Sequence, residues 1–160
     1  MLRRMFPAIF KWVFLVLILS FVLLQAMAGG TASPAPFDAV SEAVLGAAEM
    51  ENMTLGDNQM IRRLYGLDPG DYEGVLLYYP STNMGTDEIF LVKLSDLGQQ
   101  ETVKKAMEQR LQSQMDVFEG YAPAQYAALE QGIVEVRGNY LLLLVAEDAG
   151  PVRHAFLDAL

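Results

Sequence analysis

The segment that most limits the fold of this chain lies near its C-terminus. Ile133 to Arg137 alternates in polarity, Gly138-Asn139 follows, and Tyr140 to Ala146 is almost wholly apolar. A Gly-Asn pair between two such runs is a two-residue turn of the kind that tight antiparallel pairs use. A strand that is apolar at both odd and even positions fits the centre of a sheet, covered on one or both faces. The rest of the chain therefore has to supply neighbouring strands and a covering layer.

The remaining periodicities supply them. Tyr72 to Tyr79 and Glu88 to Leu94 are rich in Val, Ile, Leu, Phe and Tyr, and the Pro80 to Asp87 loop between them makes a second hairpin. Phe37, Val40, Val44 and Ala47 recur at helical spacing, with Asp38 and Glu42 in the early turns, which predicts a helix from Phe37 to about Glu51. Asp57 as N-cap and Gly66 as stop frame a short helix from Asn58 to Tyr65. Leu67-Asp68-Pro69-Gly70 and Ser95-Asp96-Leu97-Gly98 are turns. Val103, Met107, Leu111, Met115 and Phe118 form the stripe of a long helix, with Glu101–Lys105 and Lys104–Glu108 pairs on its wet side. Ala124 to Gln131 is a further short helix, and Pro151 sits in the first turn of a closing helix that runs to Leu160. The expected fold class is α+β: a four-stranded, mainly antiparallel sheet of two hairpins with helices packed on one side.

The N-terminus has a different character. The 160-residue chain has a mean hydropathy of +0.22 together with a formal charge of −9. Residues 1–28 separate these properties. They hold Arg3, Arg4 and Lys11, no acidic residue, and an apolar run from Trp12 to Leu24 broken only by Ser20. Without them 8 basic residues face 20 acidic ones, a charge of −12. The leader reads as an export signal retained as a single-pass membrane anchor, with the basic residues inside and the C-terminal domain outside the cytoplasm. Cleavage after Ala28, at Ala26-x-Ala28, with secretion, is the alternative. Gly29 to Pro36 reads as a flexible linker, and 37–160 as the folded domain. So acidic a body repels phosphate backbones and excludes nucleic acid as a partner. The absence of Cys removes disulfides, thiol redox chemistry and thiolate zinc sites.

Tyr65-Gly66-Leu67-Asp68-Pro69, Thr86-Asp87-Glu88-Ile89, Arg110 in the long helix, Tyr121 with Pro123 and Gln125, and Gly138-Asn139-Tyr140 before the apolar strand stand in an order that resembles a bacterial domain-of-unknown-function family, number 4358. The resemblance covers roughly Phe37 to Leu160. It implies an extracytoplasmic α+β domain and carries no activity, cofactor or catalytic set. Many members look like exported lipoproteins, whereas this chain has no Cys to carry a lipid.

Asp87 and Glu88 are the candidate site residues. Two neighbouring carboxylates suit a divalent cation or acid–base work in an exported hydrolase. Adjacent strand residues point to opposite faces, however, which favours a structural use. Asp68, Asp71 and Glu73 lack the spacing of a calcium loop and suit turns. Glu147-Asp148 reads as the turn that starts the closing helix. Met50, Met53 and Met60 suggest thioether ligands for copper, with packing the commoner use. His154 stands alone, without a Gly-x-Ser-x-Gly elbow or a Cys to serve. Tyr65, Tyr72, Tyr78, Tyr79, Tyr121 and Tyr126 suit either a core or an aromatic groove for a glycan or peptide. No cofactor and no metal is expected. The sequence thus points to a non-catalytic binding or interaction module of the cell envelope, partnered by the membrane and by an envelope protein or glycan. An exported hydrolase or cation-binding domain using Asp87 and Glu88 is the alternative.

Overall fold

The computed structural model describes residues 14–18, 20 and 32–160. Residues 32–160 fold as one compact unit. Five helices, α1 (Phe37–Gly46), α2 (Asn58–Tyr65), α3 (Gln100–Phe118), α4 (Pro123–Glu130) and α5 (Ala149–Asp158), accompany five strands, β1 (Met53–Leu55), β2 (Gly74–Pro80), β3 (Glu88–Lys93), β4 (Ile133–Arg137) and β5 (Tyr140–Val145). The strands form one antiparallel sheet in the order β1-β2-β3-β5-β4. The Gly138-Asn139 turn joins β4 to β5 with Arg137 opposite Tyr140. Only Gly138 takes positive φ there, +57°, the pattern of a turn with glycine at its first central position.

The α+β class and the antiparallel sheet agree with the sequence, and two features of the architecture correct it. First, the sheet has five strands where two hairpins account for four. β1 is only three residues long and half exposed, so it carries no apolar period. Backbone pairing alone defines it: Thr54 lies opposite Tyr79, Gly56 N–H donates to Leu77 O at 2.9 Å and Ser81 N–H to Asn52 O at 2.9 Å. Forming β1 also shortens the first helix, which stops at Gly46 and not near Glu51.

Second, helices cover both faces of the sheet. Every residue of β3 and β5 is buried. Phe90, Val92, Leu141 and Leu143 pack with Ile61, Val103, Met107 and Leu129 of α2, α3 and α4. Ile89, Leu91, Leu142 and Leu144 pack with Val40, Val44, Val152 and Phe156 of α1 and α5. A strand that is apolar on alternate and intervening positions needs a layer on each side, because each exposed Leu forfeits about 1.5–3 kcal/mol of burial.

Local signals set the helix ends. Asp57 accepts from Met60 N–H at 2.8 Å, and Gly66 closes α2 at φ +68°. Asp96 and Gln99 form a capping box ahead of α3. Ser33 N–H donates to Asn139 Oδ1 at 2.7 Å, Ser33 Oγ to Leu160 O at 2.8 Å, and Tyr140 O–H to Ala35 O at 2.8 Å. From Ser33 onward, the segment read as a flexible linker is therefore bound to the unit.

The membrane expectations are corrected as well. Among the described residues no helix is long and apolar enough to cross a membrane, a span that takes about 20 apolar residues. The membrane helix in the fold, the membrane partner through the N-terminal apolar segment, and the single-pass location are withdrawn on that finding. Of the leader, residues 14–18 and 20 are described and helical. Its remainder, including the site after Ala28, lies outside the described residues.

Double coverage of the sheet gives a direct test. Leu142 and Leu143 face opposite layers and both are fully buried. Leu142→Ala and Leu143→Ala should each lower the unfolding free energy by about 2–5 kcal/mol in urea titrations. A sheet with one wet face would tolerate one of them.

Candidate functional site

β3 begins with a charge. Glu88 opens a strand whose next residues on the same face, Phe90 and Val92, are core, so the pleat drives its carboxylate inward. Glu88 is 0% exposed. Burying a carboxylate is tolerated only with charge and hydrogen-bond compensation, and three side chains provide it. Arg110 of α3 makes a bidentate pair, Nε to Oε1 at 3.0 Å and Nη2 to Oε2 at 2.7 Å. Tyr65, the last residue of α2, donates its O–H to Oε1. Gln114, one turn beyond Arg110, donates Nε2 to Oε2 at 3.1 Å. The carboxylate thus accepts four hydrogen bonds, about its full capacity.

The neighbours hold these donors in place. The Tyr65 ring stacks on Phe90 with centroids 3.8 Å apart. Burial first, then the Glu88 charge, raises the Tyr65 phenol well above its ordinary value. For Arg110 burial acts downward, but the hydrogen bonds and charge of Glu88 outweigh it and leave the guanidinium raised. Both groups keep their protons throughout the neutral range.

A trough runs over this cluster, between α2, the 80–85 loop and α3. One part, about 440 Å³, is bordered by Met60, Arg63, Tyr79, Asn83, Gln114 and Phe118. A second part, about 400 Å³, continues past Arg110 along Leu64, Tyr65 and Gln109. Leu64, Arg110 and Ser113 border both.

The sequence candidates fall elsewhere. Glu88 enters the cluster, while Asp87 borders two other cavities, one of about 140 Å³ beside Ile89 and Val152 on the α5 side and one of about 280 Å³ beside Gln125 and Ala128 of α4, and Glu88 borders neither. Glu49, Glu51, Glu147 and Asp148 edge the smaller of the two. Among the described residues, no group of three or more His, Cys, Asp or Glu side chains is arranged to hold a metal ion. Asp68 caps Gly70 and pairs with Arg62, Glu73 pairs with Lys93, and Asp148 caps α5. Met50 and Met53 pack in the α1/α5 layer and Met60 in the other, so the three do not meet. Of the tyrosines, Tyr79 borders the trough, whereas Tyr78 packs on the opposite face. His154 is exposed on α5.

Tyr65, Arg110 and Gln114 are what a residue-by-residue search passes over. A signal existed in α3, whose inward stripe runs Val103, Met107, Arg110, Gln114, Phe118, leaving Leu111 and Met115 only half-buried. An Arg and a Gln inside a core stripe call for a buried acid opposite.

A sheet covered on both faces, with the buried Glu88 cluster under a trough, defines a compact α+β domain. The chain belongs to the family described as Domain of unknown function (DUF4358), which matches residues 46–146, the span that contains the whole cluster. No curated protein and no solved structure matches the chain.

Two outcomes follow from the cluster. Glu88→Gln or Arg110→Met alone should cost about 3–5 kcal/mol, because each leaves a charge or its donors uncompensated inside the fold. The double variant should cost about 2–3 kcal/mol less than the sum, measured as a double-mutant cycle in urea. The tyrosines set the alkaline limit. Tyr65 is raised, and Tyr140 is pushed up to about 12, by burial first and then by Glu73. The stability they confer is complete below about pH 10, the value of an unfolded phenol, and drains away as pH rises toward 12. Absorbance titration should show these two among the seven tyrosines ionising only with unfolding.

Proposed function

We propose that this domain is a non-catalytic binding module whose ligand occupies the trough between α2 and α3. The observation that carries the reading is the saturation of Glu88. A carboxylate with all of its acceptor positions filled by Arg110, Tyr65 and Gln114 has none left for a substrate proton or a metal ion. Its use is to fix the orientation of Arg110 and Gln114, which border the trough. The trough itself combines apolar walls with a few oriented polar groups, the usual make-up of a small-ligand site. A hydrolase or cation site built jointly on Asp87 and Glu88 draws no support from their surroundings, since Glu88 borders neither of the cavities that Asp87 borders.

The reading is tested by screening a chemically diverse fragment library against the full chain with two-dimensional amide NMR. Hits should shift signals from Leu64, Ser113 and Gln114, and Asp87→Asn should leave both the hits and the melting temperature unchanged. A library without a single hit in the trough, or turnover of an ester, peptide or glycan that Asp87→Asn abolishes, would overturn it.

A further inference from the structure

The charge of the trough is opposite to that of the molecule. Residues 29–160 carry 20 acidic side chains against 8 basic ones, yet among the described residues no Asp or Glu borders either part of the trough, whereas Arg63 and Arg110 do. The cavity of about 140 Å³ beside α5 shows the reverse, with Glu49, Glu51, Asp87, Glu147 and Asp148 at its edge and no basic residue. Arg62 is paired with Asp68, but its neighbour Arg63 makes no ion pair among the described residues and is exposed at the trough. One positive charge therefore stands unmatched there.

Arg110 adds donors whose direction is set. Its Nε and Nη2 hold the two oxygens of Glu88 at 3.0 and 2.7 Å. The three nitrogens of a guanidinium spread symmetrically in one plane, so the edge that grips Glu88 leaves Nη1 pointing directly away from that buried carboxylate. The side chain is 16% exposed and borders both parts of the trough. Its charge is already matched by Glu88, whereas that of Arg63 is not. A single carboxylate between Nη1 and Arg63 thus brings two arginines and two carboxylates to neutrality. Apolar wall lies in the same part of the trough as Arg63, from Met60, Leu64, Val117 and Phe118, and its volume of about 440 Å³ suits a small molecule.

We propose that the trough binds a free small molecule with one carboxylate on an apolar body and no other ionised group. The carboxylate accepts from Arg63 and from Nη1 of Arg110, and the apolar body lies against Met60, Leu64, Val117 and Phe118. The proposal rests on the trough being the binding site and adds the class of ligand. A phosphate carries about −1.5 to −2 at neutral pH, which exceeds the one unmatched positive charge, and inorganic phosphate has no apolar part. A neutral apolar molecule leaves Arg63 unmatched.

The test is titration of the full chain with hexanoate, hexanamide, acetate and inorganic phosphate, followed through the amide signals of Leu64, Ser113 and Gln114. Hexanoate should shift them saturably, and each of the other three should bind at least about tenfold more weakly. Arg63→Gln should weaken hexanoate about tenfold without moving the melting temperature, since this side chain is exposed. Arg62→Gln makes the same charge change one residue away, at a side chain that does not border the trough, and should leave the affinity unchanged. Ser113 is exposed and borders both parts, so Ser113→Asp sets a carboxylate of the chain's own in the trough and should abolish hexanoate binding while the fold persists. Equal binding of hexanoate and hexanamide, equal binding of acetate or phosphate, unchanged affinity in Arg63→Gln, or full affinity in Ser113→Asp overturns the proposal. An equal loss in Arg62→Gln also overturns it, because attraction by net charge would then be the cause. Failure of hexanoate while other fragments still shift the trough removes the ligand class and keeps the binding site; failure of every fragment removes both.

Discussion

Glu88 is buried without any contact with water, and much of the domain is arranged around that fact. A carboxylate at the start of a core strand costs several kcal/mol unless it is paired and fully hydrogen-bonded. The compensation comes from two different helices: Tyr65 at the end of α2 and Arg110 with Gln114 in the middle of α3. The cluster therefore works as a register pin. If α3 slides by a residue, Arg110 leaves the carboxylate; if α2 ends a residue early, the phenol does. Hydrophobic contacts tolerate such slips far better, since burial is proportional to area and indifferent to direction.

The other end of β3 is also charged, with the opposite sign and on the opposite face. Lys93 is 6% exposed, pairs with Glu73, and lies 5.6 Å from the centre of the Tyr140 ring. A strand of four apolar residues between two buried charges has one acceptable register against β2 and β5. This matters because its apolar middle, Ile-Phe-Leu-Val, does not distinguish the two faces by itself. The charges settle which residues meet the α2/α3/α4 layer and which meet α1 and α5.

The same pin shapes the trough. Arg110 and Gln114 border it in orientations imposed by Glu88 and not by solvent, so these polar groups are held fixed. Preorganised donors of this kind reduce the entropy lost on binding.

The sequence by itself determined the local structure. Asp57 and Gly66 bounded α2, Gly138-Asn139 fixed the final hairpin, and the apolar run from Tyr140 marked a central strand, because caps, turns and periodicity depend on neighbours a few residues away. It also made Glu88 visible as a candidate and suggested that it and Asp87 diverge. Only the tertiary structure decided what compensates Glu88, because Tyr65, Glu88 and Arg110 are each more than twenty residues apart and meet through the packing of two helices on a sheet. The fifth strand and the second helical layer belong to the same category. β1 has no period of its own, and whether an apolar strand is covered once or twice depends on where distant helices dock.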